Sequence, residues 1–388
     1  MRFQAMMCKE SGEQLETLEL LPLRPQEVVV RVQATNVGSA DVLSIDAPPP
    51  PGTADKVADG ASSVLPTLPR LPANIIHGHA AVGLVEHVGS AVGGVKVGDR
   101  VLVTSSANCG QCHFCRRGRM DQCAQNTMVS PPIACSDAGG EVHGNSYVGS
   151  FAELAVTRET QVTTIFSDLP LEQLALISNP VSTGVGAALV TAPIQAGSIV
   201  AVIGCGPVGL SYIMAARLAG ASRIIAVEPL AQRRQAALRC GATDIIDPRE
   251  TDPVAAVQEL SGDAGGEMQG RGADYVFEAA TDARAVEQAW AMARSAGHVV
   301  LAGIDIRPGA MVSFPAAPFA LGGKVIHVCQ QGSLIMRRDL PWLIRLAERG
   351  QLDLSSLAQR SYGLGETGQA LRDVSNRAVL GATVLPGI

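Results

Sequence analysis

The stretch from Ser198 to Glu228, SIVAVIGCGPVGLSYIMAARLAGASRIIAVE, is compatible with few folds. A short apolar run, Ile199 to Ile203, enters the turn Gly204-Cys205-Gly206-Pro207-Val208-Gly209, and a helix carrying Leu210, Ile213, Met214 and Leu218 leaves it. Glycine suits three points of such a turn. Gly204 permits the reversal, Gly206 lets backbone approach a pyrophosphate, and Gly209 lets the helix pack close to the strand. Pro207 and Val208 open the helix, whose free N–H groups form the anion site. A second run, Ile224 to Val227, ends in Glu228, where a carboxylate can accept both hydrogen bonds of an adenosine ribose. The glycine pattern alone is a weak signal in a chain with 41 glycines, and the flanking strand, helix and terminal acid make it specific. Ile199 to Ala216 also runs without a charge, as a membrane span would. The glycines and proline inside it argue for a buried strand and helix of a parallel sheet instead.

Around this unit the chain changes character. Gln4 to Thr35 alternates apolar and polar residues in short runs and predicts antiparallel β structure. From Ser44 to Asn74 the sequence is rich in proline, alanine, glycine and serine and predicts an irregular stretch, either a solvated surface loop or a lid over a pocket. Strands resume in AAVGLVEHVG and VKVGDRVLV, a cysteine loop follows, and Ala124 to Gly149 reads as a second irregular stretch. SFAELAVT predicts a strand and LEQLALI a helix. From Val181 the strands SIVAVIG, SRIIAVE, TDIID, ADYVFEA, GHVVLAG and KVIHVCQ alternate with helical segments, the pattern of a doubly wound parallel sheet. The tail from Arg337 predicts a helix and short elements ending in AVLGATVL. A chain of 388 residues exceeds one core, and the pattern divides it into a β-rich domain, 1–180 with 331–388, and a dinucleotide-binding domain, 181–330.

Composition narrows the function classes. A net charge of −6, no basic block and 3% aromatic residues exclude a nucleic-acid footprint. The polar start MRFQAMMCKESGEQ lacks a signal-peptide apolar region, so a cytoplasmic protein without membrane attachment is expected. Nine cysteines are many for a reducing compartment unless some hold metal. Cys109-Gly-Gln-Cys112-His-Phe-Cys115 followed by Cys123 predicts one structural zinc per chain, with four thiolates filling the tetrahedron and no position open to substrate. Disulfides are the alternative, and the compartment argues against them. Cys8, Cys135, Cys205, Cys240 and Cys329 read as small buried hydrophobes.

The order of these features, with Ser182-Thr-Gly-x-Gly186 between the β-rich half and the glycine turn, resembles the medium-chain dehydrogenase/reductase superfamily, zinc-type alcohol dehydrogenase branch. The resemblance covers nearly the whole chain, interrupted by the two irregular stretches. It implies an α/β architecture in which a GroES-like β-rich catalytic domain joins a Rossmann domain of doubly wound parallel sheet, with a cleft for a nicotinamide and a small-molecule substrate. By the same resemblance Thr183 touches the nicotinamide ring, Glu228 the adenosine ribose, Arg233 the adenosine side, and the backbone near Ile304 and Cys329 the carboxamide. The family's habit of pairing Rossmann domains edge to edge implies a homodimer through KVIHVCQ, or a tetramer.

The chain departs from that family where a catalytic zinc is usually held by a Cys, a His and a second Cys. The first position, in Val37-Gly38-Ser39-Ala40-Asp41, is Gly38; the His is present as His79, followed by Ala80 where an acid is usual; the second Cys position is Asn179. Glycine offers no ligand side chain, and an amide is a poor substitute for a thiolate. The hydroxyl and imidazole of the usual proton relay fall on Ala40 and Leu43. Without a Lewis acid the alcohol/aldehyde interconversion loses its electrophile, whereas hydride transfer needs only the nicotinamide. The reading that follows is an NAD(P)H-dependent reductase of an already polarised C=C or iminium group, with His79, Ser39, His143 or Tyr147 as proton donor. A second reading keeps metal catalysis by joining His79 with His77, Glu86, Asp46 or Glu141 and predicts two zinc ions. A third is a catalytically silent dinucleotide-binding protein. Glu228 should repel a 2′-phosphate and favours NAD(H) over NADP(H), unless it turns away and Arg233 and Arg234 reach the phosphate.

Overall fold

The computed structural model describes residues 1–9, 12–46, 72, 74–262, 271–302 and 310–387. The first half is mostly strand: β1 (Arg2–Lys9), β2 (Gly12–Leu20), β3 (Glu27–Val37), β4 (Ile75–Ile76), β5 (Ala81–Val88), β6 (Arg100–Val103), β7 (Ala134–Ser136), β8 (Glu141–Gly144), β9 (Leu154–Arg158) and β10 (Val162–Thr164). Helix α1 (Ser39–Asp46) follows β3, and α2 (Leu171–Leu176) and α3 (Ser182–Gly186) lead into the second half. There β11 (Ile199–Ile203), α4 (Pro207–Leu218), β12 (Arg223–Val227), α5 (Ala231–Cys240), β13 (Asp244–Ile246), α6 (Pro253–Ser261), β14 (Ala273–Glu278), α7 (Ala283–Met292), β15 (Ala293–Leu301), α8 (Ala316–Leu321) and β16 (Val325–Val328) alternate. The chain closes with α9 (Met336–Glu348), β17 (Arg360–Gly363), α10 (Thr367–Ser375) and β18 (Ala382–Leu385).

Three sheets result. A closed barrel runs β1-β2-β7-β8-β4, and a second sheet runs β10-β6-β5-β3-β18-β17, with β9 also paired to β3. The third is parallel, in the order β13-β12-β11-β14-β15-β16. That order reverses beside β11, so the crevice beyond the strand's carboxyl end opens at the glycine turn. The C-terminal strand β18 pairs with β3, which ties the chain's end to its β-rich half. The predicted fold class is therefore present: a GroES-like β-rich part and a Rossmann-type part.

Two expectations need correction. Ala124 to Gly149 is not irregular throughout, because β7 and β8 within it complete the barrel between β2 and β4. These strands are short and largely polar, so pairing rather than local pattern makes them. Ser44 to Asp46 belongs to α1, while 47–71 and 73, the bulk of the first irregular stretch, lie outside the described residues.

One apolar core spans both halves. Ala34, Val82 and Leu102 of the β-rich part and Leu174, Val185, Leu210, Tyr212, Phe277, Leu340 and Leu343 are buried in a single cluster. The segment Leu171–Thr191 is the one helical stretch among the described residues long and apolar enough to cross a membrane, and 72% of it is buried inside the protein. It is the spine between the halves. At its far end α3 lies so close to α4 that a Cβ on Gly184 would fall 2.4 Å from Ser211 Cβ and 2.7 Å from the Val208 carbonyl. Gly184→Ala is thus expected to destabilise the fold by about 1–3 kcal/mol. It should also weaken dinucleotide binding, read by urea denaturation and fluorescence titration; unchanged values for both would contradict this packing.

Candidate active site

The glycine turn has the geometry its sequence calls for. Gly204 adopts φ +85°, and a Cβ on Gly209 would stand 1.8 Å from the Gly204 carbonyl oxygen, so helix α4 could not approach β11 with any larger residue there. Gly206 caps the helix and is open: the nearest atom to a Cβ there is Arg233 Nη1 at 3.8 Å. Pro207 and Val208 form the first turn, with their end of α4 facing the crevice. Glu228 is buried at the end of β12. Its Oε2 accepts the Cys205 N–H at 2.8 Å and its Oε1 the Leu230 N–H at 2.9 Å, which fixes the carboxylate across the turn. These residues fit a dinucleotide: an open cradle over a helix N-terminus, with an acid held beside it.

Two guanidinium groups lie near enough at this turn to repel each other. Arg233 has a buried Nε without a hydrogen-bond partner, and its pKa is lowered by burial, opposed by Glu228 and reinforced by nearby Arg377. Arg377 comes from the C-terminal part and was not singled out from sequence; no local pattern marks it. Arg234 points elsewhere, donating to the Glu228 and Pro229 carbonyls at 2.8 and 2.7 Å and pairing with Asp247 at 2.9 Å. That removes it from the pair expected to reach a 2′-phosphate. Cys329 is buried just past β16 and Thr183 is half-buried on α3, while Ile304 lies outside the described residues.

Across the cleft, β3 ends at Val37 and the chain turns at Gly38 into α1. Asp41, in the first turn of that helix, is fully buried; its Oδ2 accepts the Gly38 N–H at 2.9 Å and its Oδ1 accepts His79 Nδ1–H at 2.8 Å. His79 sits in the loop before β5, placed by Gly78. That residue takes φ +88° where a Cβ would lie 2.4 Å from Ser150 Oγ. The other ring nitrogen, His79 Nε2, is met by Asn179 Nδ2 at 2.7 Å. Asn179 reaches it because Pro180 disfavours helical backbone in the residue before it: Asn179 takes φ −171°, ψ 132° and interrupts the run from α2 to α3. Its Oδ1 lies 3.5 Å from Thr183 Oγ1.

The two cleft histidines titrate in opposite directions. Burial pushes His79 down, but the charge and hydrogen bond of Asp41 outweigh it and the pKa stands above the ordinary 6.5. Burial also lowers His77, and there Asp41 is too weak an influence to reverse it. His77 Nδ1 donates to Ser44 Oγ at 3.1 Å, and that hydroxyl donates to the Asp41 carbonyl at 2.8 Å. Ser39 and Ala40 are exposed at the start of α1. The other proposed proton donors are committed elsewhere: Tyr147 Oη donates to buried Glu27 at 2.8 Å, and His143 Nδ1 donates to the Ser130 carbonyl at 2.9 Å.

A catalytic zinc does not fit this donor set. Two ligands on a tetrahedral ion with bonds of about 2.0–2.1 Å stand roughly 3.3 Å apart. Here His79 Nε2 and Asn179 Nδ2 are in direct hydrogen-bond contact at 2.7 Å, and Gly38 supplies no side chain. Of the alternative ligands, Glu86 is paired with Arg31 at 2.7 Å, Glu141 is exposed on β8, and the side chain of Asp46 is outside the described residues.

The cysteine loop does fit a metal. Among the described residues one set of three or more possible ligand groups converges: Cys109, Cys112, Cys115 and Cys123, with all sulfurs within 4.8 Å of one another. Backbone N–H groups of Cys115 and Ala124 pull the Cys112 thiol down to about 6, while burial pushes Cys115 up to about 12. A cation would bring all four to the thiolate form. All nine cysteines are free thiols; Cys205, Cys240 and Cys329 are buried as expected, whereas Cys8 and Cys135 are only half-buried.

Comparison with known proteins bears on the family. Residues 24–167 match the alcohol dehydrogenase GroES-like domain and residues 207–349 match the zinc-binding dehydrogenase family. The chain is 32% identical over 311 residues to an S-(hydroxymethyl)glutathione dehydrogenase of Saccharomyces cerevisiae, covering 77% of this chain and 78% of that one. Among solved structures, an alcohol dehydrogenase zinc-binding domain protein from Burkholderia ambifaria superposes with a TM-score of 0.85 at 28% identity, over 99% of each chain. Benzyl alcohol dehydrogenase from Acinetobacter calcoaceticus gives 0.83 at 27% identity, also over 99% of each.

Metal counting by inductively coupled plasma mass spectrometry on the purified protein should find one zinc per chain, and Cys112→Ser should release it. A second equivalent that survives the substitution would place another ion in the cleft.

Proposed function

The chain belongs to the zinc-type alcohol dehydrogenase branch of the medium-chain dehydrogenase/reductase superfamily, an NAD(P)-dependent oxidoreductase group, and from that premise we propose that it reduces an already polarised double bond without a catalytic zinc. The observation that carries this reading is the direct contact between Asn179 and His79, which occupies the place of an ion with an amide. When bound, a reduced nicotinamide supplies the hydride. The glycine turn and α4 hold the pyrophosphate, Glu228 the ribose, and Arg233 and Cys329 border the ends of the dinucleotide. Thr183 borders the ring. In this reading the described cleft residues hold no Lewis acid, so the substrate brings its own polarisation, as an enal, enone or iminium does.

Reduction of an enal or enone also needs a proton. His79 is the acid: Asp41 stabilises its cation, and the proton that leaves is the one on Nε2, the nitrogen on the Asn179 side. Ser39, exposed at the start of α1, is the second candidate donor. Residues 1–180 with 331–388 form the catalytic unit in this reading and 181–330 the dinucleotide unit. The enzyme is read as a cytoplasmic homodimer joined along β16, whose Val325 and Val328 are 43% and 62% exposed at the sheet edge.

The test is turnover of NADH against a panel of enals, enones, imines and simple aldehydes. Activity with the first three and not the last supports the reading, and activity confined to simple alcohols and aldehydes overturns it. His79→Gln should lower kcat by about 10²–10⁴-fold with little change in NADH affinity. Since the acid must be protonated, kcat should hold at low pH and fall as pH rises through the raised His79 pKa. Asp41→Asn removes the influence that raises it and should move that fall to lower pH. Calorimetric titration should give tighter binding of NADH than NADPH, because the Glu228 carboxylate would repel a 2′-phosphate; the reverse order would refute the cofactor assignment.

A further inference from the structure

A side chain standing on the second nitrogen of a histidine must answer to the ring's charge. With Nδ1–H given to Asp41, a neutral His79 has only a lone pair at Nε2, and the Asn179 amide meets it with Nδ2–H at 2.7 Å. An imidazolium carries a proton on both nitrogens, and Nδ2 would then face a donor. The amide has one acceptor, Oδ1, and a half-turn about its terminal bond exchanges the two ends with almost no change in shape. The opposite end faces Thr183 Oγ1, 3.5 Å from Oδ1. A hydroxyl both donates and accepts, so Thr183 can partner either end. Asp41 is fixed by the Gly38 N–H and serves both states.

We propose that Asn179 is a positioning residue for proton transfer, an amide latch whose orientation follows the charge of His79. This rests on His79 being the acid of the reduction. In the loaded state Oδ1 accepts Nε2–H. When the proton passes to the substrate, the N–H electron pair stays on Nε2, and the amide turns to cover that lone pair with Nδ2–H. The turned latch stabilises the spent state and disfavours retrieval of the proton from product. Among the described residues, the titratable groups around the ring are Asp41 from α1 and His77 from the same loop; the segment carrying Asn179 and Thr183 brings no charge, nor do Ala80 and Ala81 ahead of it or Ser150 and Phe151 beside Gly78.

The experiment is nitrogen NMR of the full-length protein labelled at histidine, with the His79→Gln spectrum assigning the His79 signals. Asn179→Leu removes both the acceptor for Nε2–H and the donor to the bare nitrogen, so the Nε2 signal should lose its hydrogen-bond displacement in both charge states, whereas Asn179→Asp supplies an anionic acceptor alone and should raise the His79 pKa by about one pH unit. Thr183→Val removes a partner that serves both orientations of the amide and should move the His79 pKa by less than Asn179→Asp does. Circular dichroism and thermal melting check that each variant is folded, and Asn179→Ser replaces Asn179→Leu if the latter fails that check. An Nε2 signal unmoved in the apolar variant together with a His79 pKa unmoved in the acidic variant would overturn the latch. If the wild-type protein turns over none of the substrate panel, the reductase reading fails while the NMR result still decides the latch; turnover with both readouts unmoved sinks the latch alone.

Discussion

A carboxylate buried without exposure to water is tolerable only when its oxygens are hydrogen-bonded and its charge is answered. Asp41 meets both conditions through two neighbours, the Gly38 N–H and His79 Nδ1. That arrangement sets the rest of the cleft. Because Nδ1 is committed to Asp41, Nε2 is the nitrogen left to face the other half of the molecule, and the only question is what stands there. Asn179 does, carried out of its helix by the proline that follows it.

The dinucleotide side is built independently and meets this pair through one segment. Residues 171–191 run from the β-rich sheet to the start of α4, bringing Asn179 and Thr183 onto the same wall of the cleft. The close packing of Gly184 on α4 and of Gly186 against the Gly332 backbone allows no slack in that wall. Since the core beneath it is continuous from Leu102 to Phe277, a shift of either half would be transmitted to both residues at once.

Much of this was legible in the residues, and what was not has a physical reason. The six parallel strands, the glycine turn and Glu228 were readable because each depends on neighbours in sequence, as does the cysteine quartet with its tight spacing. Gly38 and Asn179, at positions where the family usually carries cysteines, were visible through family resemblance. What Asn179 does there was not, because its partner is His79, distant in sequence. Asp41 stood in plain view in the string around Gly38, but a helical first-turn acid is most often solvated, and only burial reveals it as the ring's counter-charge. The strands β7 and β8 and the approach of Arg377 to Arg233 likewise exist only through tertiary pairing.

The changes at the old metal site are also consistent with one another in charge. A site with two thiolates, a histidine and an aspartate needs a divalent cation to be stable in a buried cleft. Removing one thiolate would leave an awkward ligand set; here both positions are filled by neutral groups, and Asp41 is the remaining anion of the described constellation. A single proton on His79 then balances it. In the proposed reading a mobile unit charge stands where the family usually holds a divalent ion, and a proton that can pass to the substrate suits protonation after hydride transfer better than it suits holding an alkoxide.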